Sequence, residues 1–500
     1  MKLPLPALPP KIASWATASS LAASISYADR GTSAIAASSL LDQLHWSESQ
    51  LGGVQGAFFA GYAITQVFGG VLGGQKSNDG REGYRIVLPV SLLLTGLTTL
   101  LFPLAAIHFG HVGASIDRFI LGLFEGLLLP AAMAGVSDTV NECIKSCGVE
   151  EDYKATASSM VIAGCYIGSG WAYLSAFALF SEKCQIMLIE NGFSGEVWPL
   201  IFYLNGVLSF LLVYLYRHEF EFDLLSTKSP LSSQNGDLIR DTTSIATQCI
   251  QSKSGRAILA AQIGQGSLLY SISSWGPLYL ERVGIESSSI PVTDTAANPS
   301  PISQVALTAS KAAYSLIPSQ ITQALVGVSI GATADQLSSA IGTQSTRRVL
   351  QILSGVVPAF ILLYLASYSG DCSATTNERS IVNSLTEPAF LFGSAQTISA
   401  LSLGAVSVSH LDVAVPSAAG AVYALGNVMA AIAGSAMVNL FGFLLEQDDK
   451  RNDVLISKGQ EFAIPFEVVA ALSALGSIIY GFTVETDSEI GIETNKTLTT

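Results

Sequence analysis

Charge is scarce in this 500-residue sequence: only 12% of its residues are Asp, Glu, Lys or Arg, where a soluble protein carries roughly a quarter. That deficit argues against an ordinary soluble fold. Histidine is rarer still, with five in the chain. The six cysteines, Cys143, Cys147, Cys165, Cys184, Cys249 and Cys372, show no paired spacing that would build a tetrahedral metal site with so few imidazoles. No metal and no cofactor are expected. Basic residues number 24 against 38 acidic ones, a formal net charge of −14, which argues against a nucleic-acid partner because phosphate binding needs a clustered basic surface. No Ser/His/Asp set or metal-ligand helix motif stands at a workable spacing, so an enzyme is not expected.

What the sequence has instead is apolar length: 49% of its residues are hydrophobic. A hydrocarbon core of about 30 Å takes about 20 mostly apolar residues per helical crossing, and such runs recur at 13–40, 51–74, 85–107, 112–139, 155–180, 197–216, 256–280, 305–332, 347–368, 388–408, 418–445 and 463–482. The expected architecture is therefore an all-α membrane protein with twelve transmembrane helices in two six-helix bundles. The first bundle covers 1–216 and the second 256–500, including a short tail. Between them, 217–255 is polar with little apolar periodicity and reads as a cytosolic linker. With a cytosolic N-terminus, fifteen of the 24 basic residues fall on the cytosolic side and seven on the other. This places both termini in the cytosol. Cys143 and Cys147 then face the cytosol as reduced thiols. Cys184 and Cys372 lie on the opposite face, where their spacing leaves pairing open. Which membrane holds the chain, plasma membrane or an organelle membrane, is not resolved by sequence.

Charges inside the apolar runs carry the functional signal. Asp29 and Arg30 lie in the first run, where a charge at bilayer depth costs at least about 2.5–3.5 kcal/mol. Adjacent helical residues point about 100° apart, so each needs its own partner in the bundle or in a wet cavity. The fourth run holds Asp117, Arg118 and Glu125. Two helical turns put Arg118 and Glu125 roughly 10 Å apart on one face, lining one cavity wall at different depths without pairing. Two guanidiniums facing a cavity supply the forked donors that a carboxylate or phosphate needs. A desolvated Glu125 is suited to holding a proton at working pH, or alternatively to a structural salt bridge with Arg30 or Arg118. The glycines at Gly69, Gly70, Gly73, Gly74, Gly164, Gly168 and Gly170 mark close helix packing first and a substrate path second.

Several motifs are shared with a known family. Tyr27-Ala28-Asp29-Arg30-Gly31, His45-Trp46, Gln55 through Tyr62 to Gly70, Arg118 through Glu125-Gly126 with Pro130, Tyr270 through Trp275-Gly276-Pro277, and His410-Leu411-Asp412 with Tyr423 and Asn427 together resemble the anion:cation symporter family of the major facilitator superfamily. Its members include sodium/phosphate cotransporters, sialin, vesicular glutamate transporters, plastid phosphate transporters and bacterial sugar-acid symporters. The resemblance runs over both halves of the chain. It implies a central cavity between two rocking bundles, with Arg30 and Arg118 tied to anion binding and Asp29 and Glu125 to the coupling ion. Tyr62, Tyr270, Gln55 and Gln265 are the further substrate-binding candidates. His410 and Asp412 match a signature at the end of the tenth helix, with either a functional or a helix-end role.

The chain departs from the family at informative places. Vesicular glutamate members carry a His and an Arg where this chain has Gln55 and Gln265, which disfavours a dicarboxylate site. The cytosolic latch of the first half lacks its usual acid after the glycines, with Asp79 the nearest substitute. The second half keeps Asp335 with Arg347 and Arg348 as a gating set. The expectation is a monomeric secondary transporter in the lipid bilayer, moving inorganic phosphate or a small organic anion by alternating access and coupled to protons or sodium. An uncoupled anion uniporter on the same scaffold is the alternative.

Overall fold

The computed structural model describes residues 9–74, 83–147, 153–219, 235–283, 303–367, 388–414, 416–451, 459–486 and 490. It is helical almost throughout. In chain order the helices are α1 (Pro10–Ile35), α2 (Ala37–Gln43), α3 (Glu48–Gly74), α4 (Tyr84–Cys147), α5 (Tyr153–Leu179), α6 (Glu182–Glu190), α7 (Trp198–Glu219), α8 (Asn235–Gln251), α9 (Lys253–Val283), α10 (Gln304–Ile341), α11 (Thr343–Ala366), α12 (Pro388–Ser399), α13 (Ser409–Val413), α14 (Pro416–Arg451) and α15 (Ala463–Thr483). A 3₁₀ turn at Ala400–Gly404 continues α12 toward α13.

Helix α4 is two crossings joined without a loop. At Gly110 the backbone takes φ 61° and ψ −157°, a region open to glycine alone. The chain reverses there, and the arms 84–109 and 111–147 become the third and fourth crossings expected from the apolar runs. Among the described residues, seven helical stretches are long and apolar enough to cross a membrane by length and composition alone, Tyr84–Val140 of α4 counting as one. Helices α1, α3, α9 and α10 are not among them, because Ser, Thr, Gly and Gln dilute their apolar surface. All four contribute to the central cavity described below.

The linker segment held a surprise. Residues Asn235–Gln251 form helix α8, which packs on α9 and α14 and buries Cys249 against Ala257, Ile258 and Val422. Within the first bundle α3 packs on α4, α1 on α5, and α4 on α7; within the second, α9 packs on α14 and α15, and α11 on α15. The bundles meet along α3 against α14 and α5 against α10.

The apolar core reveals which end is shut. At the end opposite the chain termini one cluster runs across both bundles, joining Trp46, Phe102 and Trp198 of the first to Trp275, Phe441 and Phe462 of the second. At the terminal end the core divides. Trp15, Tyr84 and Val140 anchor a cluster confined to the first bundle, while Ile258, Val406 and Tyr480 anchor one confined to the second. A core that is continuous at one end and split at the other leaves a cleft that opens toward the termini.

Small residues let the helices approach this closely. A Cβ on Gly168 of α5 would collide with the carbonyl of Ser24 on α1, and one on Gly164 with that of Ser20. Gly168→Val is therefore expected to cost about 1–3 kcal/mol through overpacking, read as a lowered thermal unfolding midpoint of the detergent-solubilised protein.

Candidate functional site

Between the bundles lies a cavity of about 160 Å³. Of the described side chains that line it, the charged ones are Arg30 and Arg118, both from the first bundle. The wall from the second bundle is neutral: glutamines, serines, Tyr270, Tyr423 and Asn427.

Arg30 is held from three sides by aromatic faces. Its guanidinium carbon lies 4.2 Å from the Tyr27 ring centre, 4.5 Å from that of Tyr62 and 4.8 Å from that of Phe58. Tyr27 comes from α1, one turn before Arg30, while Phe58 and Tyr62 are one turn apart on α3. Rings of this kind attract a cation electrostatically and orient its fork. Behind the guanidinium sits Glu125, whose Oε2 accepts from Arg30 Nε at 3.4 Å and from the Ser26 hydroxyl at 2.5 Å. Arg30 Nη1 has no hydrogen-bond partner. The group is thus anchored at one edge and unsatisfied at another.

Glu125 does not line the cavity, contrary to the expectation from its spacing to Arg118. It is 1% exposed and lies behind the wall, because α3 packs so closely on the second arm of α4 that Gly126 abuts Tyr62 and Thr65. Asp29 is likewise sealed at 1% exposure, accepting at 2.9 Å from the Thr99 hydroxyl. Arg118 reaches the cavity but is 2% exposed, its guanidinium stacked 4.3 Å from the centre of Phe102 and 5.4 Å from that of Phe202. Asp117, Asp29 and Glu125 all act on it electrostatically. The first bundle thus holds three carboxyls, Asp29, Asp117 and Glu125, around two guanidiniums.

The four neutral candidates, Gln55, Tyr62, Gln265 and Tyr270, all line the cavity. Gln55 has neither amide atom bonded, and Gln265 donates to the Ser399 carbonyl at 3.1 Å while its own oxygen is free. Sequence reading missed Gln320, Gln323 and Gln396, which line the cavity from α10 and α12. The signal was present: two glutamines three residues apart inside an apolar run share one helix face.

Of the expected gating set, the two arginines are described. Arg347 donates at 2.8 Å to Asp412 and at 2.8 Å to the Gly404 carbonyl, and Arg348 donates at 2.7 Å to the Val484 carbonyl. The Asp335 side chain lies outside the described residues, as do Asp79 and Cys372. Among the described residues Arg347 thus pairs with Asp412, which follows the 3₁₀ turn at Ala400–Gly404. The His410 and Tyr423 rings meet at a tilt of 54°, their centres 4.9 Å apart.

Polar ties between the bundles, among the described residues, lie on the shut side. Arg282 bridges Glu48 of the first bundle at 2.6 Å, with Glu461 of its own bundle 3.6 Å away, Ser47 donates to Glu446 at 2.8 Å, and Gln185 clasps Ser303. Partly exposed pairs of this kind contribute up to about 1 kcal/mol. Arg282→Gln is accordingly expected to raise the population open at that end by a few-fold, measured as faster labelling of Cys165 in the cavity by an impermeant maleimide added from that side.

The profile of the Major Facilitator Superfamily matches residues 19–438. The voltage-gated purine nucleotide uniporter of Homo sapiens is 26% identical over 278 residues, 55% of this chain and 57% of that protein, so the chain spans little more than half the length of that relative. The chloroplastic ascorbate transporter of Arabidopsis thaliana is 22% identical over 463 residues, 90% of this chain and 71% of that protein. Among solved structures a D-xylose–proton symporter superposes with a TM-score of 0.60 at 13% identity, covering 95% of this chain and 98% of that one, a likeness of fold alone. With most of its length matched and two six-helix bundles enclosing a cleft, this multi-pass membrane chain belongs to the Major Facilitator Superfamily, alongside transporters of the kind that its motifs resemble.

Proposed function

We propose that the protein is a secondary active transporter that carries a small anion by alternating access and couples its movement to protons. The observation that carries this reading is Arg30: a cation set in an aromatic cage on the cavity wall, with an unpaired donor edge and a carboxyl directly behind it. Such an edge suits a carboxylate or phosphate oxygen. Relatives named for nucleotide and ascorbate transport both handle anions, which supports the class.

Charge balance supports proton coupling. With all groups ionised, three carboxylates outweigh two guanidiniums and the site opposes an incoming anion. Protonating one carboxyl cancels that excess and protonating two reverses it, at a depth where little solvent screens the charges. Glu125 is the natural carrier, because it shares Arg30 with the anion: the substrate draws the guanidinium away and a proton replaces it. The cleft opens toward the termini, which the distribution of basic residues places in the cytosol. On that orientation the cleft reads as the inward-facing member of the cycle.

The test is uptake by proteoliposomes under imposed proton and sodium gradients, applied separately. An inward proton gradient should drive accumulation of an anion above its external concentration. Accumulation driven by sodium alone would reject proton coupling, and equilibration without accumulation would favour an uncoupled uniporter.

A further inference from the structure

The stretch that follows α15 braces the open end of the second bundle. Val484 leaves the helix in an extended conformation, φ −68° and ψ 135°, and its carbonyl accepts from Arg348 at 2.7 Å and from Gln344 at 3.1 Å, both at the start of α11. Glu485 turns to the start of α9. Its N–H donates to the Ser254 hydroxyl and its carbonyl accepts from the same hydroxyl, each at 3.0 Å, while its carboxylate pairs with Lys253 at 2.6 Å. Ile490 then pairs with Ala414 as an isolated parallel bridge. Its N–H donates to the Val413 carbonyl at 3.2 Å, and its side chain, 2% exposed, joins Val406, Val413, Val484 and the α8 residue Cys249 in one apolar cluster.

What Ile490 grips is a broken helix. Between α12 and α14 the chain lines the cavity with Ser402, Leu403 and Ser407, but the helix is interrupted there: Ala405 takes φ −126° and ψ −103°, and the Val406 N–H bonds to the Gln351 side chain at 3.4 Å. A short irregular element at the end of a helix is where a change of shape is absorbed. Among the described residues the polar ties between the bundles lie at the shut end. At the open end, Arg348 of the expected gating set is held by Val484 within its own bundle. The hold is built to release. Its ion pair, Lys253 with Glu485, is about half exposed on both sides and contributes little, and one apolar side chain, Ile490, closes it. We infer that Val484, Glu485 and Ile490 form a catch on the segment between α12 and α14, retaining the carrier with its cleft open toward the termini and letting go as that end shuts. Contacts made in one of two states shift the balance toward that state, so the catch slows departure from the open form. This bias belongs to the empty carrier and is independent of the anion and the coupling ion.

The test uses full-length protein in vesicles with no anion present, and reads labelling of the cavity residue Cys165 by an impermeant maleimide added from one side or the other. Ile490→Asp puts a charge into the apolar cluster and frees the catch. Labelling from the shut end should rise about three-fold and labelling from the open end should fall, a reciprocal change that loss of folding does not produce. The converse variant joins the catch to the segment it grips. Ala414→Cys with Ile490→Cys, in a Cys249→Ala background, places two thiols on bridge partners, a separation that a disulfide spans. Once oxidised, this protein should label from the shut end about ten-fold more slowly, and reduction should restore the native rate. A catch that merely anchors the chain moves with its bundle, and locking it changes nothing. Unchanged labelling in the oxidised protein, or failure of the two thiols to join, therefore overturns the proposal. Either result leaves the anion-carrier reading to its own uptake assay, because no anion enters this one.

Discussion

Arg30→Ala is expected to reduce anion uptake by at least 100-fold in proteoliposomes containing equal amounts of inserted, monodisperse protein. Two losses add. The anion loses its cationic partner, and Glu125 loses the guanidinium that lies 3.4 Å from its Oε2, leaving a buried carboxyl without charge compensation. Removing one member of a buried, hydrogen-bonded charge pair costs about 2–5 kcal/mol, or roughly 30- to 5,000-fold. Arg30→Lys discriminates between charge and shape. An ammonium keeps the charge and can still sit among Tyr27, Phe58 and Tyr62, but it lacks the planar fork. Partial activity, about ten-fold below the native protein, is expected there. Uptake in Arg30→Ala equal to that of the native protein would remove the anion-site assignment altogether.

The second large effect is on driving force. Glu125→Gln preserves the size of the side chain and its bond to Ser26 but cannot ionise. Accumulation driven by a proton gradient should fall to the level reached with no gradient, at least ten-fold below the native protein. Exchange of labelled for unlabelled anion, which needs no net proton movement, should keep a large share of its rate. The contrast between the two assays isolates coupling from binding. If both assays fell equally, Glu125 would be a structural partner of Arg30 and no more, and proton carriage would have to lie with Asp29 or Asp117.

Much of the fold could be read from composition, because bilayer thickness imposes a length on every crossing. Among the described residues the twelve apolar runs correspond to long helical stretches, including the two arms of α4, where glycine at position 110 marks the reversal. Helix α8 escaped notice for a physical reason. A short helix lying on the bundle end needs only a few apolar anchors, here Ile245 and Cys249 among them; they stand four residues apart, at helical spacing, but a search for long apolar runs passes over an amphipathic helix of low overall hydropathy. The charges inside the apolar runs were also conspicuous in sequence, since nothing but a partner or a cavity tolerates them. Their partners were not. That Arg30 meets Phe58 and Tyr62, that Glu125 lies behind the wall rather than on it, and that Arg347 turns to Asp412 are all facts of how separate helices pack. Spacing along one helix carries no information about its neighbours. The glutamine cluster illustrates the same limit: Gln320 and Gln323 could have been paired by their helical spacing, but Gln396 lies more than seventy residues away and meets them only because α12 packs against α10.

The most direct measurement follows proton movement during transport. Vesicles holding the protein and a trapped pH-sensitive dye, with no ion gradient imposed, are given anion on the outside. Inward proton flux should accompany anion entry in the native protein and vanish in Arg30→Ala and Glu125→Gln. Anion entry at the native rate with no change in internal pH would contradict the account.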